Sequence, residues 1–228
     1  MLKVHSIESF TQEPIRFVLF LQCFFKCIYC HNPDTIPINK EMEIDKIVEM
    51  IKQTVPYFTR GGCTISGGEP LVQAKNLIDL FKKLKKENIH TCLDTNCLWN
   101  KDVEELLEYT DMILLDIKHI DNDWHKKITQ ENKNVFNFLD YLEKNKKKTR
   151  IRYVLVPYSD QEEYINMLEK YGKYKCIERL EILPYHTFGE HKWKELRKYE
   201  LHVAAPTEEA VQKAENLFKK YFKEVYVR

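Results

Sequence analysis

The sequence predicts an α/β fold, an open, curved, partial (β/α)6 barrel of parallel strands with covering helices. Three observations carry this expectation. Strand-like and helix-like stretches alternate about six times, the pattern of a parallel sheet with helices packed on it. That count is below the eight units that close a barrel. The polar residues with useful chemistry follow the carboxyl ends of the strands, where parallel α/β proteins assemble their sites. A flat doubly wound sheet is the alternative arrangement.

Residues 15–22, Ile-Arg-Phe-Val-Leu-Phe-Leu-Gln, form a nearly unbroken apolar run of strand length. A cysteine-rich loop follows, closed by the turn residues Asn32-Pro33-Asp34. From Glu43 to Val55 the apolar residues Ile44, Ile47, Val48 and Ile51 recur at helical spacing. Cys63 to Ser66 reads as a short strand entering Gly67-Gly68-Glu69-Pro70. Leu71 to Glu87 is helical, with Leu77, Ile78, Phe81 and Leu84 on one face. Ile89 to Leu93 is a strand ending at Asp94-Thr95-Asn96, and Val103 to Tyr109 a short helix. Met112 to Ile117 is a buried strand with Asp116 near its end and Lys118 next. Residues 134–145 form a helix striped by Phe136, Leu139 and Leu142. Arg150 to Val156 is a strand stopped by Pro157, and Tyr164, Ile165, Leu168 and Tyr171 mark a helix ending at Gly172. Glu178 to Leu183 is a strand stopped by Pro184, Glu208 to Phe222 the last clear helix, and Val225 to Val227 a final short strand. No repeat or low-complexity linker interrupts this order, so residues 1–228 are expected to form a single domain.

Composition narrows the function. A formal charge of +1, from 36 basic and 35 acidic side chains, gives no footprint for nucleic acid. The lysine runs at 82–86 and 146–148 lie in or after helical patterns and read as solvated faces. The first residues have no signal-peptide core, and no run of about 18 apolar residues occurs, so the cytoplasm is the expected compartment. Seven cysteines, an odd number, suit a reducing environment. Cys63 and Cys92 fall in strand patterns and read as buried, unreactive thiols.

The chemistry starts at Cys23, Cys27 and Cys30, spaced C-x3-C-x2-C just after the first strand. Thiolates suit zinc and iron–sulfur clusters alike. Three of them around a [4Fe–4S] cube leave one iron open to bind a small molecule and pass it an electron; S-adenosylmethionine (SAM) is the molecule expected there. A zinc-stabilised binding module is the non-enzymatic alternative, with His31 as a fourth ligand. His31 directly follows Cys30, whereas zinc ligands are usually separated by two or more residues.

Other strand ends supply groups matched to SAM. Gly67 and Gly68 let backbone approach a ligand closely, and the carbonyls there and the Glu69 carboxylate can accept from its ammonium. Lys118 can pair with its carboxylate, or make an ordinary ion pair. Asp94 and Asp116 can together hold a cation, a monovalent one, with carbonyls of Thr95 or Leu114 completing the shell. Arg152 faces either the sheet interior or the outer helices, since strand alternation alone does not choose. His186 can hydrogen-bond the ribose or serve as a loop histidine; Tyr29 can lie against adenine or pack beneath the loop.

These stretches together resemble the radical SAM activating enzymes of glycyl-radical enzymes. The likeness covers nearly the whole chain. It rests on the cysteine motif with His31-Asn32, Ser66-Gly67-Gly68-Glu69-Pro70, residues 89–96, Leu115-Asp116-Ile117-Lys118, residues 151–157, Leu183-Pro184-Tyr185-His186, Gly189 and His191-Lys192-Trp193. The resemblance implies a partial barrel of the radical SAM type and cluster ligation by the three cysteines. It further implies SAM contacts from Tyr29, Cys30, His31, Gly68, Asp116, Ile117, Lys118 and His186. The implied reaction is reductive cleavage of SAM, then removal of a hydrogen atom from a backbone glycine of a partner, pyruvate formate-lyase. The implied electron donor is flavodoxin or ferredoxin, and the chain is expected to be a monomer. Activases of anaerobic ribonucleotide reductase share the cysteine loop, but the match past residue 150 points away from that shorter family. Departures lie at Thr11-Gln12-Glu13-Pro14-Ile15-Arg16, which lacks the family's two glycines and aspartate, and at Gln22, Cys97 and Tyr158.

Overall fold

A computed structural model describes residues 1–10, 16–23, 27, 30, 33–35, 40–57, 61–119, 122–129, 135–156, 165–187, 191–192 and 204–228. Tyr29, His31, Tyr158, Gly189, Trp193 and the segment 11–15 lie outside the described residues. The chain divides into two compact units, Met1–Phe25 with Asp34–Ile113, and Lys26–Pro33 with Leu114–Arg228. No helix among the described residues is long and apolar enough to cross a membrane.

The first unit contains β1 (Leu2–Phe10), β2 (Arg16–Leu21), β3 (Glu41–Met42), α1 (Ile44–Thr54), β4 (Gly62–Gly67), α2 (Ala74–Lys86), β5 (Thr91–Thr95) and α3 (Val103–Glu108). Its strands run in the order β3-β1-β2-β4-β5. β2, β4 and β5 are parallel, in register from Arg16↔Gly62 to Leu21↔Gly67 and from Cys63↔Thr91 to Ile65↔Leu93. β1 is antiparallel to both β2 and β3. The helices form where apolar residues recur on one side. Ile47 and Ile51 of α1, and Leu77, Leu80, Phe81 and Leu84 of α2, are fully buried. Burying such a side chain stabilises by roughly 1.5–3 kcal/mol. Lys83, Lys85 and Lys86 sit in the last turn of α2, where positive charge complements the helix dipole. Asn88, at φ +57, then turns the chain out of the helix.

The second unit holds β6 (Met112–Ile117, from Leu114 onward), α4 (Asn122–Thr129), α5 (Val135–Lys144), β7 (Thr149–Leu155), α6 (Ile165–Gly172), β8 (Ile177–Pro184), α7 (Glu208–Phe218) and β9 (Val225–Val227). The strand order is β6-β7-β8-β9, and both β7–β8 and β8–β9 are parallel. Tyr153 and Phe218 meet edge to face at 5.3 Å in its core. Phe136 stacks on Tyr171 at 5.2 Å. Thr207 caps α7 by accepting from the Ala210 amide, with Glu208 and Glu209 in the first turn.

The parallel α/β expectation is met, and the expected strands and helices form among the described residues, outside which Ile15, Asn134 and Tyr164 lie; the helix expected from Leu71 begins as a 3-10 helix, Pro70–Gln73, with α2 following from Ala74. β1, β3 and α4 go beyond it. The last helix ends at Phe218 rather than Phe222, followed by a turn.

Candidate active-site elements

In the first unit the parallel pairing of β2 and β4 carries the chain into the cysteine loop. Beyond Leu21↔Gly67, the Gly68 amide donates to the Leu21 carbonyl at 3.0 Å and the Glu69 amide to the Gln22 carbonyl at 3.4 Å. Cys23, the next residue, donates its amide to Thr35 O at 3.1 Å and is buried. Gly67 has φ +110, a conformation that side chains resist. A Cβ on Gly68 would overlap the Cα and Cβ of Cys23. The Gly-Gly turn therefore rests directly on the first cysteine.

Glu69 is fully buried. Its Oε1 accepts from the Leu71 amide at 3.0 Å and from Thr95 Oγ1 at 2.6 Å, and its Oε2 from the Asn96 amide at 2.8 Å. The carboxylate thus ties the turn after β4 to the turn after β5. Sequence reading offered Glu69 as an acceptor for SAM; the structure adds this bracing task. Ser66 Oγ donates to Asp94 Oδ2 at 2.6 Å. Sequence reading did not single out that link. It follows from the strand register, which the sequence does not encode: Ile65↔Leu93 sets Ser66 level with Asp94.

In the second unit Cys27 is buried and Cys30 half-buried, and the Cys30 amide donates to the Cys27 carbonyl at 3.2 Å. Asp116, at the end of β6, is buried between two cations. Lys118 Nζ lies 2.7 Å from its Oδ2, and Arg152 Nε 3.2 Å from its Oδ1. The open orientation of Arg152 is answered: it reaches Asp116. Burial pushes the Asp116 carboxyl up, but the charges of Arg152 and Lys118 outweigh it and hold it below the usual aspartate range. Burial likewise pulls the Lys118 ammonium down, and Asp116 and Cys27 more than offset that pull. His125, buried on α4, adds to the field at Asp116 and carried no motif that would have flagged it. Ile117 is buried, Leu114 half-buried, and His186 exposed just after β8.

The donor chemistry fits a cluster. None of the seven cysteines is in a disulfide. A positive charge beside a thiol favours the thiolate that ligates iron, and Lys118 lies close enough to Cys27 to feel it. Among the described residues no three His, Cys, Asp or Glu side chains form a single-ion site.

Comparison with known proteins places the chain in a family. The profile of the radical SAM superfamily matches residues 17–171, well over half of the chain. The pyruvate formate-lyase-activating enzymes of Staphylococcus epidermidis (strain ATCC 12228 / FDA PCI 1200) and Staphylococcus aureus (strain USA300) are each 45% identical to it over 232 aligned residues, covering 92% of this chain and 92% of theirs. The chain belongs to the radical SAM superfamily, in its pyruvate formate-lyase-activating enzyme family. Radical SAM enzymes of this family are oxidoreductases that use a [4Fe–4S] cluster and SAM. Solved structures agree on the radical SAM fold. A domain of pyruvate-formate lyase-activating enzyme from Bacteroides vulgatus ATCC 8482 superposes with a TM-score of 0.59 at 23% identity, covering 74% of this chain and 99% of that one. Streptococcus suis SuiB bound to S-adenosylmethionine superposes with a TM-score of 0.67 at 15% identity, covering 91% of this chain and 48% of its own.

Proposed function

We propose that this chain activates a glycyl-radical enzyme, pyruvate formate-lyase, by drawing one hydrogen atom from a backbone glycine of that partner. The observation that carries the reading is 45% identity to activating enzymes across 92% of both chains. A bound cluster would supply the electron for reductive cleavage of SAM, the chemistry that makes hydrogen abstraction possible.

The chain's own residues hold and orient. Cys23, Cys27 and Cys30 would hold the cluster, which would supply the electron to SAM. The carbonyls of Gly67 and Gly68 receive the ammonium, while Glu69 braces that edge through Leu71, Thr95 and Asn96. Lys118 meets the SAM carboxylate, and Asp116 keeps Lys118 and Arg152 aimed. Tyr29, His31, Ile117 and His186 attend to the nucleoside. A reduced flavodoxin or ferredoxin delivers the electron, and the chain works as a cytoplasmic monomer.

The test is anaerobic incubation of the reconstituted chain with SAM, reduced flavodoxin and pyruvate formate-lyase. The expected result is a glycyl radical on the partner by electron paramagnetic resonance, with matching 5′-deoxyadenosine. SAM cleavage that leaves pyruvate formate-lyase without a radical would refute the choice of partner.

A further inference from the structure

We propose that Gly68 is a cluster-positioning residue, the bare backbone seat that sets Cys23 in place whether or not SAM is bound. The inference rests on assignment of the cluster to the cysteine loop. The carbonyl role given to the Gly-Gly turn explains what SAM would meet there. It does not explain why a side chain is excluded at residue 68, because the atoms a Cβ would overlap belong to Cys23.

The geometry leaves the two residues little room to separate. β2 and β4 are locked in parallel register up to Leu21↔Gly67, and the next two amides, of Gly68 and Glu69, continue the ladder onto Leu21 and Gln22. Gly67, at φ +110, gives the bend that brings residue 68 under Cys23. Cys23 is held by the hydrogen bond that its amide donates to Thr35 O at 3.1 Å. Glu69 is anchored by three donors. An alanine at 68 must therefore displace the backbone of a cluster ligand, since neither side rests on a flexible side chain. Gly67 is required by its own conformation and by the Leu21 and Phe20 backbone that a Cβ would meet, and Gly68 by Cys23.

The experiment compares Gly68→Ala with wild type, both reconstituted without SAM. Circular dichroism and a thermal scan first establish that the variant folds. Overpacking against backbone predicts roughly tenfold faster loss of iron to a chelator. The reduced cluster should also give an altered electron paramagnetic resonance spectrum before SAM is added. A variant with wild-type chelation kinetics and spectrum, defective only once SAM is present, would overturn the proposal. Should the variant not fold, hydrogen exchange on the wild type decides. Loading the cluster without SAM should protect the segment 66–70 together with 21–27, and unchanged exchange at 66–70 is the contrary result. A wild type that takes up no cluster would instead sink the assignment on which the proposal rests.

Discussion

Cys97 shows how one residue can record a departure from a family pattern as backbone strain. It follows Asp94-Thr95-Asn96, where the resemblance expects glycine, and it stands at φ +68, fully buried, with its amide donating to Thr95 Oγ1 at 2.9 Å. Left-handed backbone at a non-glycine residue costs on the order of 1–3 kcal/mol. Restoring glycine relieves that strain but loses a packed thiol. Cys97→Gly should therefore keep the cluster and shift stability by no more than about 1 kcal/mol. Cys97→Val adds a β-branched side chain that resists this conformation, and should cost roughly 2–3 kcal/mol. Thermal unfolding of the cluster-loaded proteins checks both; a valine variant as stable as the glycine variant would contradict the strain. The substitution at 97 was legible in the sequence, but its dihedral angle was not, because no periodicity encodes it. The same holds at Glu69. Its place in Gly-Gly-Glu was visible, whereas its bonds to Thr95 and Asn96 depend on a turn 26 and 27 residues away.

Elements whose residues recur at one clean period were legible; those with interrupted periods were not. α2 and β4 announce themselves through Leu77, Phe81 and Leu84 and through the apolar Cys63-Thr64-Ile65. β1 did not, because its ladder to β2 passes from Val4↔Leu21 to Ser6↔Phe20, leaving His5 as an extra residue. That bulge shifts the side-chain alternation midway, and Ser6, Glu8 and Ser9 dilute what remains. Between elements, one surface carboxylate joins several strand and helix ends. Asp111 Oδ2 accepts from the Thr91 amide at 2.8 Å and from Thr91 Oγ1 at 3.1 Å, and Oδ1 from Lys85 Nζ at 2.7 Å. Partial burial pushes its carboxyl up, but the bonds from Lys85 and Thr91 outweigh it and hold it below 3.8, the ordinary aspartate value. A lowered folded value means the carboxylate stabilises above the unfolded value and loses that contribution as pH falls through the folded one. Asp111→Asn should thus cost roughly 1–2 kcal/mol at pH 7. The deficit against wild type should stay flat down to about pH 5 and shrink below 3.8. A deficit that grows on acidification would show the sign to be wrong.

At the scale of the whole molecule the seven cysteines sort into two chemical classes. Cys63 and Cys92 pack in β4 and β5, Cys97 in the turn that follows, and Cys176 just before β8, all buried. Burial pushes the Cys176 thiol up to about 12, with Glu143 adding to the push, so it stays protonated at neutral pH. A protonated thiol in apolar packing is a small hydrophobe rather than an iron ligand. Cys23, Cys27 and Cys30 instead share one short loop, with Lys118 acting on Cys27. Cluster content and SAM cleavage should therefore divide the variants cleanly. Cys23→Ala, Cys27→Ala and Cys30→Ala should each lose 5′-deoxyadenosine formation outright. Cys63→Ala and Cys176→Ala should keep the wild-type spectrum and turnover, with roughly 1–2 kcal/mol lost to the small cavities they leave. Iron and sulfide analysis with single-turnover SAM cleavage reads both classes at once. Loss of the cluster from Cys63→Ala with an intact fold would mean that a strand thiol, not the loop alone, takes part in holding iron.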